Sequence, residues 1–181
     1  MTATHPYKQV IYFLINEGPD STKPKFYTAA TPKVGWHSFR AYAREHQCGV
    51  ATEEEVRQSP NVPFYFFLRN PYERLRAAWA YHNSQAISLP AHLGRASWTE
   101  FCDAVLAGVM DHHWAPQIEG LAREPDEVFQ FEHVNDMWPR LTGHQFPRLN
   151  DVKSSKPVEQ YRRKELEQLY WIDNLFWRGA E

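Results

Sequence analysis

Residues 25–40, Lys-Phe-Tyr-Thr-Ala-Ala-Thr-Pro-Lys-Val-Gly-Trp-His-Ser-Phe-Arg, decide the fold class of this chain. Lys25–Ala30 is a β-prone run, and the chain then meets Pro32, which ends a strand. Lys33, Gly35 and Ser38 crowd into a short turn. Phe39, Tyr42, Ala43 and His46 follow at helical spacing and predict a helix over Gly35–His46. A strand, a tight loop and a helix start bring backbone N–H groups and the positive end of the helix dipole to one point. With Lys33 added, that point suits a phosphate or similar anion. The G-x-x-x-x-G-K-[ST] spacing of the nucleoside-triphosphate P-loop is absent, so this loop is of another kind.

Asn61–Tyr81 repeats the arrangement. Val62–Leu68 is a continuous apolar run, as expected of a strand buried on both faces. Asn70 then suits an N-cap, Pro71 the first helical position, and Glu73 the far side of a capping box. Tyr72, Leu75 and Trp79 recur at helical spacing and predict a helix over Pro71–His82. Arg69 therefore sits where strand gives way to helix, with a guanidinium able to fork onto an anion. Two strand-to-helix junctions, each with a cation, point to a ligand with two separate anionic groups.

The rest of the chain continues the alternation. Lys8–Ile15 and Asp126–Phe131 read as further strands, and residues 16–21 as a turn. Gly49–Pro60 is polar and contains an acidic turn, and Asn83–Ala96 is a loop. Ser97-Trp98-Thr99-Glu100 opens a helix, with capping-box residues, that runs to about Leu106. Asn135–Thr142 is a short helix containing Pro139, and Val158–Trp177 a last one. Strands alternating with helices predict an α/β fold with a central, mostly parallel sheet, and ligands beyond the carboxyl ends of its strands.

Composition narrows the classes. A length of 181 residues fits one domain, 1–181, able to bury a core. A net charge of −2 excludes a generally basic nucleic-acid binder, so an anion site must be local. Cys48 and Cys102 are too few for a disulfide framework and are expected as reduced thiols. The start Met1-Thr2-Ala3-Thr4-His5-Pro6 is polar, and no apolar run approaches the ~20 residues of a membrane span. The expectation is a cytoplasmic protein without a signal peptide; the sequence carries no indication of oligomeric state.

Four stretches, in order from about residue 25 to the end, resemble one family. Thr31-Pro32-Lys33-Val34-Gly35-Trp36-His37-Ser38 resembles the 5′-phosphosulfate-binding loop of sulfotransferases, closest to the P-K-V-G-C-T form of the chondroitin and dermatan branch. Phe67–Trp79 resembles the 3′-phosphate-binding segment, R-[DN]-P-x-x-R-L-x-S-A-Y. His113-Trp114-Ala115-Pro116-Gln117 is similar to the H-W-x-P-Q segment of that branch. Leu149-Asn150 through Ser154, with Tyr170, Asp173 and Phe176, is similar to its C-terminal ending. The animal carbohydrate enzymes are membrane-anchored, and the polar start departs from them.

The resemblance implies a P-loop-like nucleotide-binding fold and 3′-phosphoadenosine 5′-phosphosulfate (PAPS) as donor, with no metal. The acceptor it implies is a hydroxyl on a carbohydrate or small molecule. By that resemblance Pro32, Lys33, Val34, Gly35, Trp36, His37 and Ser38 surround the 5′-phosphosulfate, with Lys33 catalytic, and Arg69 binds the 3′-phosphate. Ser154 and Lys156 belong to a stretch that closes over the nucleotide; otherwise they are an ordinary polar loop. Arg162-Arg163-Lys164 reads as a solvated helix face.

Two positions depart from the pattern. Ala77 stands where the family has a helper serine for the 3′-phosphate, and Arg74 or Arg76 is available to compensate; Arg74 reads equally well as a structural pair for a nearby carboxylate. His37 stands where the family has threonine, either as a phosphate donor or as a group reaching the reacting centre. His113, at the head of its motif, is the candidate general base, with His112, Asp111 and Glu119 as alternatives. Asp111, His112 and His113 adjoin one another, but no further ligand has metal-site spacing, so no metal site is expected. A catalytically impaired nucleotide-binding relative is the alternative reading. A kinase-like phosphoryl transferase is less favoured, because neither a Walker loop nor a magnesium-binding aspartate motif follows a strand.

Overall fold

The structure, a computed structural model, describes residues 10–16, 24–85, 96–149 and 160–180. Among the described residues five strands form one sheet: β1 (Ile11–Asn16), β2 (Pro24–Ala30), β3 (Gly49–Ala51), β4 (Phe64–Leu68) and β5 (Glu127–Gln130), in the order β3-β1-β2-β4-β5. β2 pairs parallel with β4 in the register Tyr27↔Phe64 and Ala29↔Phe66, and β4 pairs parallel with β5. β1 runs antiparallel to both β2 and β3. The sheet is thus mixed, where a mostly parallel one was expected. The reason is connection length: residues 17–23 are too few for the crossover that a parallel β1–β2 pair requires.

Helices α1 (Trp36–Glu45), α2 (Glu53–Gln58), α3 (Pro71–Gln85), α4 (Trp98–Leu106), α5 (Val134–Thr142), α6 (Arg163–Leu169) and α7 (Trp171–Gly179) flank the sheet. Period-two alternation sends Phe13, Ile15, Phe26, Phe67 and Phe129 into one core with Phe39 and Tyr42 of α1 and Trp138 of α5. Tyr12, Tyr27, Phe64, Phe66 and Leu68 face a second core with Val56 of α2, against which Phe176 and Trp177 of α7 pack. α3, α4 and α6 share a third cluster around Leu75, Phe101, Trp114 and Tyr170. Cys102 is buried there and Cys48 packs at the edge of the first core, both as free thiols.

Two expected boundaries change. Gly49–Pro60 is not simply a polar turn: it contains β3 and α2, whose start Thr52 closes a full capping box with Glu55. The last helix is two, α6 and α7, separated at Tyr170, whose hydroxyl donates to the Trp114 carbonyl at 2.6 Å. α4 begins as expected, with Ser97 and Glu100 capping it reciprocally. Ser154, Lys156, residues 17–21 of the expected turn and most of the loop before α4 lie outside the described residues. Among the described residues, no helix is long and apolar enough to cross a membrane.

Candidate active site

Parallel pairing of β2 with β4 brings both strand-to-helix junctions to the same end of the sheet as neighbours. After β2 the backbone turns at Thr31–Gly35, with the Val34 N–H donating to the Thr31 carbonyl at 3.1 Å and the Val34 side chain fully buried as an anchor. Lys33 is left-handed at φ 65°, as is Gly35 at φ 62°. A non-glycine residue in this region holds local strain that its surroundings must support. Here Arg69 Nη1 donates to the Lys33 carbonyl at 3.0 Å and Arg74 Nε to the Pro32 carbonyl at 3.0 Å. At Gly35 a Cβ would fall 2.6 Å from Cε2 of Phe131, so the loop also lies too close to that ring for a side chain.

α1 starts from this turn with Gly35 as N-cap, with no side-chain cap hydrogen bond among the described residues and no acidic residue in its first turn. Its leading N–H groups and dipole are therefore not neutralised by a cap, the condition under which a helix start attracts an anion. The flanking side chains do other work. Trp36 packs against the first core, His37 is exposed, and Ser38 is buried with Oγ accepting the Leu149 N–H at 3.2 Å.

At the second junction, Asn70 Oδ1 accepts the Glu73 N–H at 3.1 Å, the expected N-cap bond. The capping box is not completed: the Glu73 carboxylate receives Arg76 Nη1 at 3.0 Å, and the Asn70 N–H goes to Glu132 Oε1 at 3.0 Å. Arg69 is gripped by Gln117, which accepts its N–H at 3.3 Å and donates to its carbonyl at 3.0 Å. Gln117 is itself held by Asp173 of α7, whose carboxylate accepts the backbone N–H groups of Gln117, at 2.8 Å, and of Ile118, at 3.0 Å.

Arg74 joins these pieces. Its guanidinium is buried and donates to three carbonyls, Pro32 at 3.0 Å, Ala115 at 2.6 Å and His112 at 3.3 Å. Burial pulls its pKa down to about 10, against the upward pull of the Asp173 charge. Burial raises the Asp173 carboxyl, opposed by the N–H groups it accepts and by Arg74. Arg74 is thus a clamp holding loop 31–35, α3 and the 112–115 turn together, and Arg76 is paired with Glu73.

The reactive groups gather beside this clamp. Lys33 Nζ sits 3.1 Å from the centroid of the Tyr81 ring. Burial, then the charges of Arg69 and Arg74, lower its pKa to about 8. Tyr81 stands beside His113, ring centroids 5.8 Å apart. His113 Nδ1 lies 2.6 Å from Asp111 Oδ1, which also accepts the His113 backbone N–H at 2.9 Å. Burial works upward on Asp111, but these bonds hold its carboxyl down at about 2. An ionised Asp111 can only accept, so the ring proton of neutral His113 belongs on Nδ1 and the lone pair on Nε2. His112 lies against His113, ring centroids 3.9 Å apart and tilted by 40°, and burial lowers its pKa. His82 is perpendicular to His113, centroids 4.7 Å apart. Both its ring nitrogens are buried without a hydrogen-bond partner among the described residues, and burial, then His113, pushes its pKa down to about 4.

The structure thus brings Lys33, Arg69 and His113 into one constellation. His37 stays exposed on α1, and Ala77 lies on α3 four residues before Tyr81, on the same helical face. Tyr81 and His82 are the contributors that motif reading passes over. Tyr81 and His82 lie seven and eight residues after Arg74, so extending the Arg74 face along α3 finds them. Comparison of the chain with models of protein families, with curated proteins and with solved structures yields no match.

Proposed function

We propose that this chain is a sulfotransferase that moves the sulfuryl group of PAPS to an acceptor hydroxyl, on a carbohydrate or glycosylated small molecule. One observation carries the reading: two cationic strand ends lie side by side, with Arg69 Nη1 bonded to the Lys33 carbonyl at 3.0 Å. A donor with a 5′-phosphosulfate and a 3′-phosphate is the ligand class that matches two adjacent cationic junctions.

The first turn of α1 binds the 5′-phosphate through the N–H groups of Trp36, His37 and Ser38. Arg69 binds the 3′-phosphate; a guanidinium has five N–H donors, so a bond to Lys33 is compatible with a second partner. The acceptor oxygen attacks sulfur in line as the bond from sulfur to the bridging oxygen breaks. Lys33 stabilises the negative charge gathering on that oxygen as the bisphosphate leaves. His113 takes the acceptor's proton at Nε2, and Asp111 stabilises the resulting imidazolium through the Nδ1–H bond. Catalysis rests on positioning and charge, with no covalent intermediate on the protein.

Calorimetric titration with adenosine 3′,5′-bisphosphate, followed by transfer of radiolabelled sulfate to a panel of sugars and alcohols, tests this. Micromolar or tighter binding with transfer supports it. Binding without transfer on any acceptor favours the impaired nucleotide-binding alternative, to which Ala77 points. Magnesium-ATP binding with no bisphosphate binding would sink the reading in favour of phosphoryl transfer.

A further inference from the structure

His82, Asp111 and His113 each offer one ligand atom, and these atoms all lie within 4.8 Å of one another. They come from two separate segments: His82 from the C-terminal half of α3, Asp111 and His113 from the turn after α4. Sequence spacing alone cannot pair them, because 28 residues separate His82 from the Asp111–His113 pair. His82 is 7% exposed, and neither of its ring nitrogens has a hydrogen-bond partner among the described residues. A buried imidazole in that state needs a partner that the described residues do not supply as a hydrogen bond. Its neighbours are the two residues best suited to share a cation with it.

We infer that His82, Asp111 and His113 form a binding site for a divalent transition metal of the zinc class. Two imidazoles and one carboxylate are a ligand set for such an ion, and three protein ligands leave one coordination position open. The Asp111 Oδ1–His113 Nδ1 pair, 2.6 Å apart, forms one edge of the site. Bonds of about 2.0–2.2 Å at near-tetrahedral angles place ligand atoms about 3.4 Å apart, so that edge widens by less than an ångström and His82 closes by at most about 1.4 Å. The metal takes the place of the proton between Asp111 and His113, and the one proton of the neutral His113 ring moves to Nε2. No proton is lost and no oxidation is involved. Asp111 supplies negative charge against the nearby Lys33 ammonium, whose field already reaches His82. A metal bound this way also leaves His113 without a lone pair for the acceptor's proton, so occupancy and proton transfer exclude each other. That last consequence rests on the proposed function; the metal site does not.

The test is calorimetric titration of the full chain with zinc chloride alone. One zinc per chain is expected, with affinity lowered about tenfold or more in His82→Gln and in Asp111→Asn. His46→Ala should bind zinc like the parent; it disrupts the separate His46–His144 contact, whose tilted rings have centroids 4.2 Å apart. Absence of zinc binding, or equal affinity in parent and His82→Gln, overturns the site. If either variant melts below the assay temperature, cobalt(II) bound to the unaltered chain decides. Intense visible bands of a four- or five-coordinate centre support the site, and the weak spectrum of a six-coordinate ion overturns it. Bisphosphate titration without metal is a separate readout, so the site and the donor reading can fail independently.

Discussion

The ammonium of Lys33 lies 3.1 Å from the centroid of the Tyr81 ring, which joins the loop after β2 to the far half of α3. The aromatic face holds the cation without neutralising it. A lysine lowered to about 8 is still a cation at pH 7, but it loses its proton within reach of ordinary buffers.

Bisphosphate affinity should therefore depend on pH through Lys33. A bound phosphate raises the lysine pKa above 8, so the complex holds more protons than the free chain, and affinity falls as pH rises through about 8. The decline approaches about tenfold per pH unit where one proton is coupled. Titrations between pH 7 and 9 measure it, and Lys33→Met should flatten the profile; an unchanged slope in that variant would remove Lys33 from the site.

Arg69→Lys should weaken bisphosphate binding by about 2 kcal/mol, because an ammonium cannot reproduce the planar fork. Unfolding in urea should show a smaller change, since the Gln117 bonds to residue 69 use only its backbone.

Ala77→Ser should strengthen bisphosphate binding by on the order of 1 kcal/mol, by restoring the hydroxyl that the resembled motif carries. A variant that folds normally and binds no better would mean the 3′-phosphate lies elsewhere.

Arg74→Met should be the most damaging change in this region. It strips three carbonyls of their donor and leaves the buried Asp173 charge without its cationic neighbour. A loss of about 3 kcal/mol is expected in denaturant unfolding. Asp173→Asn should fall short of this, because the amide oxygen still accepts an N–H.

Gly35→Ala places a methyl group at φ +62° and within 2.6 Å of the Phe131 ring. A destabilisation of about 1–2 kcal/mol follows from the left-handed backbone alone. Phe131→Leu in the same chain should recover only the part due to contact, and thermal melts of both variants would separate the two contributions.

The fold was legible where the physics is local. Val62–Leu68 is apolar enough to be a buried strand, Ser97 and Glu100 announce the start of α4, and Pro32 ends β2. Direction of pairing was not equally open to reading: alternation of strand and helix suggests parallel order, but the short β1–β2 connection forces a hairpin. β3 leaves no signal in the sequence because it has only three residues, Gly49–Ala51, and Val50 is exposed, so no apolar period marks it. The helix break at Tyr170 reflects tertiary bonds, Tyr170 to the Trp114 carbonyl and Asp173 to the Gln117 segment.

By itself, the sequence determined that two strand-to-helix junctions carry cations, Lys33 and Arg69, because strand runs, caps and prolines act over a few residues. Only the tertiary structure decided that these junctions are neighbours, through the parallel register of β2 with β4. It also decided that Arg74 is a buried clamp, and that His82 meets Asp111 and His113. The reason is range: caps and periodicity are set by nearest neighbours along the chain, whereas burial, pKa and the convergence of distant side chains depend on what the folded sheet and helices press together.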